Sequence, residues 1–416
     1  MKLIFLFAFF LKKIFTYITI KYIKKNPIEA SSKYLIYNEL ICNLNLGTPE
    51  QKIKAIIQMN LRGLFIPNIL INGQYNENNS KSYFEEYRNI NLDFEGKKYQ
   101  FKGAKDKIIF ECKNCENNKY QYNNFSFYLI NNKIKNPNLE YALIGLIVPS
   151  YEDNFNFLYQ INQKKIISYN YKKENEGELY IGLFPHEINK NLDFNSLKVN
   201  KGQLSLNNWM MEFTNISYGN KIDFERRVIF PNDVKGIISS KRYQEYVNET
   251  FFNELFKLKK CYSELINNTK DLYSEIMIYY CDKDIDIKKI ESIKFYSKEN
   301  NFSFTLDYND LFQIYNDKYV FLASFYSSYG VWRLGEVFQK KYSMFLDMDN
   351  KLFGFYTKKN NINNNNFYFI SIIFILVLVI LFLSGLLYNS LIKKKRKLRA
   401  NELEDNYEYF VKVEEN

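Results

Sequence analysis

The chain has 416 residues, of which 46% are hydrophobic and 18% aromatic, enough to bury one large or two medium cores. Its formal charge of +11 first suggests a nucleic-acid partner. The lysines of residues 1–25 and the mixed charges of residues 389–416 account for +7 of this charge. About +4 therefore remains on the long middle segment, which excludes a strongly basic surface for binding nucleic acid.

Two short apolar stretches lie at the N-terminus. Met1 and Lys2 precede the first, at residues 3–11, a pattern typical of the core of a secretory signal peptide. The second, at residues 14–20, is flanked by lysines and leaves an uncleaved signal anchor as the alternative. We therefore assign residues 1–25 to a signal peptide or a signal anchor.

A tight turn and two extended runs follow. Gly47 tolerates unusual backbone angles and Pro49 fixes φ, so together they predict the turn. The apolar runs 53–57 and 64–66 predict strands, and the second run ends at Pro67. Residues 34–46, just before the turn, are extended and partly alternating.

Further strand motifs continue along the chain. A hairpin is predicted at residues 89–108, and the glycine-containing runs 141–146 and 177–182 predict strands that pass close to neighbouring backbone. In the second half, the motif segments are 209–217, 228–230, 331–347 and 352–355.

Taken in this order, the motifs resemble those of the pepsin-like aspartic proteases. Residues 47–51 and 64–67 match the family's G-T-P-x-Q and L-W-V-P, residues 141–146 match D-G-I-L-G-L, and residues 332–338 match W-I-L-G-D-x-F. The resemblance implies a mostly all-β, bilobal fold with an N-terminal lobe at 34–185 and a C-terminal lobe at 186–358 that repeats the first.

The same alignment shows that the family's catalytic residues are replaced. The first catalytic aspartate falls on Gln58 and its threonine on Met59. The second aspartate falls on Pro231, and the nearby Asp233 occupies the family's glycine position. The tyrosine of the family's hairpin flap falls on Phe94.

The lost residues carry the family's chemistry. Two close carboxylates cannot both ionise, so they share a proton; one activates water and the other polarises the scissile carbonyl. Gln58 does not titrate and Pro231 has no polar side chain. Asp233 is the only acid near the second site, and the first has no carboxylate between Glu50 and Asn76. We therefore predict no aspartic protease activity.

Few other side chains suggest chemistry. Cys112 and Cys115 have the spacing of a zinc knuckle or a redox motif, but without suitable partners or setting we expect a local disulfide. The family resemblance implies that Cys261 and Cys281 pair, which leaves Cys42 as a buried free thiol. His186, the sole histidine, is expected to have a packing or surface role. We expect no metal and no cofactor.

Glycosylation sequons occur at six positions, several of which chance alone would give in so Asn-rich a chain. They are Asn78, Asn124, Asn215, Asn248, Asn267 and Asn301.

One long apolar segment precedes the C-terminus. Residues 367–388 carry no charge and would span roughly 33 Å as a helix, enough to cross a bilayer. The basic cluster 393–399 predicts that the tail, residues 389–416, is cytosolic. The body is therefore expected to be lumenal or extracellular, on a membrane of the secretory or endolysosomal pathway or on the plasma membrane.

These features lead to one hypothesis and two alternatives. The leading hypothesis is a membrane-bound pseudoprotease that holds a peptide or protein partner in the cleft between its lobes. One alternative is an active membrane-anchored aspartic endopeptidase whose unorthodox centre uses Asp233. The other is a structural surface protein without a cleft ligand.

Overall fold

The described part of the chain folds mainly into strands. A computed structural model describes residues 17–24, 35–67, 75–94, 97–113, 119–130, 139–147, 153–161, 163–172, 175–205, 208–267, 275–326, 331–358, 383–388 and 390–395. The strands of the first half are β1 Tyr17–Lys24, β2 Leu40–Leu46, β3 Gln51–Gln58, β4 Arg62–Ile66, β5 Phe84–Phe94, β6 Lys97–Lys113, β7 Lys119–Ile130, β8 Ala142–Leu146, β9 Ile166–Tyr171 and β10 Glu176–Ile181.

The second half contains sixteen further described strands and most of the helices. The strands are β11 Leu197–Lys201, β12 Gln203–Ser205, β13 Asn208–Glu212, β14 Asn215–Tyr218, β15 Lys221–Asp223, β16 Arg227–Ile229, β17 Ile237–Ser239, β18 Cys261–Asn267, β19 Glu275–Asp282, β20 Ile293–Ser297, β21 Phe302–Leu306, β22 Phe312–Tyr315, β23 Lys318–Tyr326, β24 Trp332–Leu334, β25 Phe345–Asp347 and β26 Leu352–Tyr356. The α-helices are α1 Phe157–Gln160, α2 Pro185–Ile188, α3 Lys241–Val247, α4 Asn253–Lys257, α5 Tyr308–Leu311 and α6 Glu336–Lys341.

Three sheets organise these strands. The largest has thirteen strands in the order β11-β26-β25-β9-β10-β1-β2-β3-β8-β4-β7-β6-β5, so it combines strands from both ends of the chain. The second follows β12-β13-β16-β24-β17-β23-β19-β18, with β22 paired to β23, and the third is β15-β14-β20-β21. The residues up to Lys359 form one compact unit, and α2 lies at the boundary predicted between the lobes.

The two halves share one strand arrangement. In the first, β8 lies between β3, to which it is parallel, and β4, to which it is antiparallel. In the second, β24 lies in the same way between the parallel β16 and the antiparallel β17. The internal repeat expected from the sequence is therefore present, and it brings the ends of β3 and β16 to corresponding places.

Strand β1 corrects the predicted extent of the targeting segment. Tyr17–Lys24 pairs with β10 along six residue pairs and with β2 along three, inside the large sheet. Ile18, Ile20 and Tyr22 are buried in the main core. An apolar segment bounded by lysines suits a buried strand as well as a signal, so the boundary at residue 25 is wrong. Residues 1–16 lie outside the described residues, and the signal or anchor there stays a prediction.

The C-terminal unit, Asn360–Asn416, is described only in part. Residues 383–388 and 390–395 are helical. Among the described residues, no helix combines the length and apolar character needed to cross a membrane. Most of the span predicted at residues 367–388, and most of the tail, lies outside the described residues.

Candidate functional site

Gln58 ends β3 at the place where the family's first aspartate was expected. Its side chain is buried, and its backbone lies opposite Gly145 of β8. A Cβ atom on Gly145 would come within 2.4 Å of the Leu61 backbone, so only glycine lets the loop after β3 pass this close. The site therefore has the close packing that the motif at 141–146 predicted.

Pro231 lies just after β16, where the second aspartate was expected. The nearby Gly335 repeats the role of Gly145, since a Cβ atom there would lie 2.2 Å from the Val234 carbonyl oxygen. The Pro231 carbonyl accepts a hydrogen bond of 2.8 Å from the Gln339 side chain. Gln339 in turn accepts one of 3.0 Å from the Tyr171 hydroxyl. The backbone around Pro231 is thus fixed, although its side chain has no acid–base chemistry.

Asn232 joins the two loops, a role that the sequence analysis missed. Its side-chain oxygen accepts a hydrogen bond of 3.1 Å from the Met59 N–H, and its side-chain nitrogen donates one of 2.8 Å to the Ile57 carbonyl. The residue is 2% exposed. One amide can do both because it carries a donor and an acceptor. The only sign of this role in the sequence is that Asn232 directly follows Pro231, at the position where the pepsin-like family has a threonine.

Met59 makes the reverse contact. It lines a small apolar cavity of about 20 Å³ together with residues of the second half, including Trp209, Phe230, Pro231 and Met344. The loop of each half therefore inserts one side chain into the other half, Asn232 through hydrogen bonds and Met59 through apolar packing. The arrangement joins the halves, and the Met59 side chain brings no titratable group to their junction.

Asp233 is the single acid of this junction loop. Its side chain is half-buried, and its backbone carbonyl accepts a hydrogen bond of 2.8 Å from the Asn38 N–H. The next residue, Val234, forms a β-bridge with Tyr37, and the Lys235 N–H donates to the Ile36 carbonyl at 2.6 Å. Residues 59–63 in the opposite loop contain no carboxylate. Three backbone contacts thus fix the loop that would have to shift if Asp233 were to replace the lost acid.

A buried ion pair lies beside this loop and was also missed. The Lys24 Nζ atom lies 2.5 Å from Glu336, and both side chains are 8% exposed. The Asn38 side chain donates a second hydrogen bond, of 2.8 Å, to the same carboxylate. Lys24 also lies 5.5 Å from the centre of the Tyr171 ring. Strand β1 is thereby connected to the start of α6 in the second half.

The sheet face that carries Gln58 is covered by an aromatic stack, which we define as Phe65, Tyr128 and Phe155 with the Arg88 guanidinium. Ring centres are 5.1 Å apart between Phe65 and Tyr128 and 4.6 Å between Tyr128 and Phe155, at small interplanar angles. Arg88 lies 4.7 Å from the Phe155 ring centre and pairs with Asp153 at 2.9 Å. The three rings are 3–4% exposed, so the part of this face over β4 and β7 is filled by the protein's own side chains.

The stack lies on the Gln58 face because side chains alternate along strands. Ile56 lies two residues before Gln58, on the same face of β3, and belongs to the same buried cluster as the three rings of the stack. Ile57 points to the opposite face and belongs to the largest buried cluster, which also contains Ile18 and Ile20. Phe94, the residue expected at the flap tyrosine, ends β5 at the hairpin and packs against this cluster. It brings a phenyl ring and no hydroxyl to the site.

The cysteine predictions are confirmed where they are described. Cys261 and Cys281 form a disulfide, opposite each other on β18 and β19. Cys42 is free and buried, and its burial raises the pKa of the thiol to about 12. Cys115 and the Cys112 side chain lie outside the described residues, so their disulfide stays a prediction. In the described ranges, no three His, Cys, Asp or Glu side chains group as metal ligands.

His186 lies away from the junction of Gln58 and Asn232. Its Nδ1 atom is hydrogen-bonded to the Tyr356 hydroxyl, and its ring lies against Phe184 and Phe194. Burial lowers the pKa of the imidazole. These contacts are those of a packing residue at the boundary between the halves.

Comparisons with known proteins identify the fold. No family model matches the sequence, and no curated protein matches it. Among solved structures, basic 7S globulin from soybean superposes with a TM-score of 0.58 at 11% identity, over 82% of this chain and 97% of that one. Conglutin gamma, a basic 7S globulin from lupine seeds, gives 0.60 at 10% identity, over 82% and 95%. The protein therefore has the mostly β, bilobal fold of these globulins, which is that of pepsin-like aspartic proteases.

Proposed function

We propose that this protein is a catalytically degenerate member of the pepsin-like fold that acts by binding, on a membrane, rather than by hydrolysis. The observation that carries the proposal is the pair of loops at the junction, where Gln58 and Pro231 stand in place of two acids. Asn232 ties these loops together through hydrogen bonds to the backbone on both sides of Gln58. General acid–base catalysis contributes about 10²–10⁴ in rate, and this junction offers no shared-proton pair to provide it.

Peptide turnover tests the proposal directly. The purified protein is incubated with a broad peptide library from pH 3 to 7, with and without pepstatin, and products are identified by mass spectrometry. We expect no pepstatin-sensitive cleavage at any pH. Cleavage that pepstatin blocks and that the Asp233→Ala variant loses would instead favour the unorthodox endopeptidase.

The aromatic stack distinguishes two ways of binding. A peptide held in the cleft would need room on the Gln58 face, and there Phe65, Tyr128 and Phe155 are almost fully buried against each other. This favours the structural candidate, a surface protein without a ligand in the cleft. Selection of a peptide display library tests it: the structural candidate yields no peptide whose binding is abolished by substitutions in the stack.

The membrane location rests on sequence alone. Residues 367–388 are long and apolar enough to span a bilayer, and the basic residues that follow predict a cytosolic tail. Extraction of membranes with alkaline carbonate tests the span: the protein should stay with the pellet. Protease added outside sealed vesicles should remove only the tail.

A further inference from the structure

Five sequons differ in how their asparagine side chains are placed. Asn78, Asn124 and Asn301 are exposed, whereas Asn215 and Asn248 are half-buried. The side-chain oxygens of Asn215 and Asn248 are fully buried. The sixth, Asn267, has a side chain outside the described residues. The motif is the same at every position, so the fold creates the difference.

Asn78 and Asn301 lie in turns, and Asn124 lies in β7 where its pairing with β6 shifts register. Asn124 and Asn301 have positive φ angles of 59° and 45°, the left-handed conformation that asparagine tolerates better than most residues. Asn124 also borders a surface depression of about 300 Å³ lined in part by Tyr122 and Tyr159. Asn78 lies in a short 3₁₀ turn, Glu77–Asn79, none of whose residues is buried.

The other two side chains are held by the fold. Asn215 starts β14, an interior strand paired with β15 on one side and β20 on the other. Asn248 follows α3 and begins the π-helical turn Asn248–Phe252, where its side-chain oxygen is buried. The side-chain oxygen of each amide is enclosed by protein atoms, so a sugar on the neighbouring nitrogen has less room than at the exposed positions.

We propose that Asn78, Asn124 and Asn301 carry N-linked glycans in the folded protein and that Asn215 and Asn248 do not. In this transfer the asparagine amide nitrogen bonds to the anomeric carbon of an oligosaccharide. The bond from that carbon to a lipid pyrophosphate breaks, the pyrophosphate leaves with the electron pair, and one amide proton is released. The inference rests on the lumenal or extracellular position in the proposed function, because the donor is used there.

Mass spectrometry tests each position separately. The full chain is expressed in a glycosylating eukaryotic host, and the folded, protease-resistant fraction is treated with peptide-N-glycosidase in ¹⁸O water, which converts each glycosylated Asn to labelled Asp. We expect labelled Asp at positions 78, 124 and 301 and unchanged Asn at 215 and 248. The S303A variant, which removes the exposed acceptor serine of the Asn301 sequon, should lose one glycan and keep its thermal stability.

A second arm separates this inference from the proposed location. Residues 1–16 are replaced by the leader of a secreted protein, which forces entry into the secretory pathway. Glycans at the three exposed positions only with this leader would support the surface inference and contradict the native lumenal position. Labelling at Asn215 or Asn248 in the folded fraction, or none at the three exposed positions with the leader present, would overturn the inference.

Discussion

The side-chain oxygen of Asn232 accepts a hydrogen bond from the backbone N–H of Met59 at 3.1 Å. The nitrogen of the same amide donates to the Ile57 carbonyl, so both neighbours of Gln58 are held by one residue of the opposite half. Where the pepsin-like proteases have two acids, this protein therefore has hydrogen bonds that hold its two halves together. Removing the Asn232 side chain should lower the stability of the fold.

We expect Asn232→Ala to lower the free energy of unfolding by about 2 kcal/mol or more, because two buried backbone groups lose their partner. Urea denaturation followed by fluorescence measures the change. Asn60→Ala, at an exposed position in the adjoining loop, is the matched control and should change stability by less than about 0.5 kcal/mol. Equal effects of the two variants on the free energy of unfolding would show that the Asn232 side chain does not hold the two loops together.

The ion pair of Lys24 and Glu336 tests whether β1 belongs to the folded body. Lys24→Met should destabilise the protein by about 3–5 kcal/mol, because the Glu336 carboxylate would remain buried without its cation. Thermal and chemical denaturation measure the loss.

Lys21→Met provides the control within the same strand. Lys21 pairs with Glu111 at 2.7 Å, but both side chains are more than 60% exposed, so its loss should cost about 0–1 kcal/mol. A Lys24 variant as stable as the Lys21 variant would show that β1 does not pack as described.

Phe155 tests the aromatic stack. Its ring is 4% exposed between Tyr128 and Arg88, and Phe155→Ala should cost about 3–5 kcal/mol through lost contacts and the cavity left behind. Phe84→Ala removes a ring that is 63% exposed and should be nearly neutral. If Phe155→Ala were also neutral in urea denaturation, the Gln58 face would not be filled by this ring.

Thiol counting tests the cysteine assignments. At pH 8 a thiol with a pKa of about 12 is ionised in roughly one molecule in ten thousand, so native Cys42 should not react with a disulfide reagent. After unfolding without reductant, one thiol should react if Cys112 and Cys115 form a disulfide. Three reactive thiols would contradict that bond. Fast labelling of the native protein would contradict the burial of Cys42.

The sequence could predict the framework because its motifs are local. The glycines at 145 and 335, the strand before Gln58 and the Cys261–Cys281 pair lie in short patterns whose spacing carries the information. Strand β1 was misread because an apolar run flanked by lysines has the same composition whether it enters a membrane or a sheet. Its partners β10 and β2 are set by long-range pairing that no local pattern shows.

The sequence predicts which residues stand at the candidate site but not which residues they contact. The alignment placed Gln58 and Pro231, but Asn232 is one asparagine in an Asn-rich chain, and nothing local marks it as buried. The aromatic stack joins residues 65, 128 and 155, which are far apart in the chain, so the stack emerges only from the folded sheet. Glu336 was visible as the acid of a family motif, but its partner Lys24 had been assigned to a targeting segment.

Binding of pepstatin most directly tests the claim that no proton-sharing acid pair lies between the halves, since this inhibitor places a hydroxyl between two such acids. Calorimetric titration of the purified protein between pH 3 and 7 should give no measurable binding heat. One-to-one binding that weakens as the pH rises would reveal a pair of acids at the junction and contradict the account.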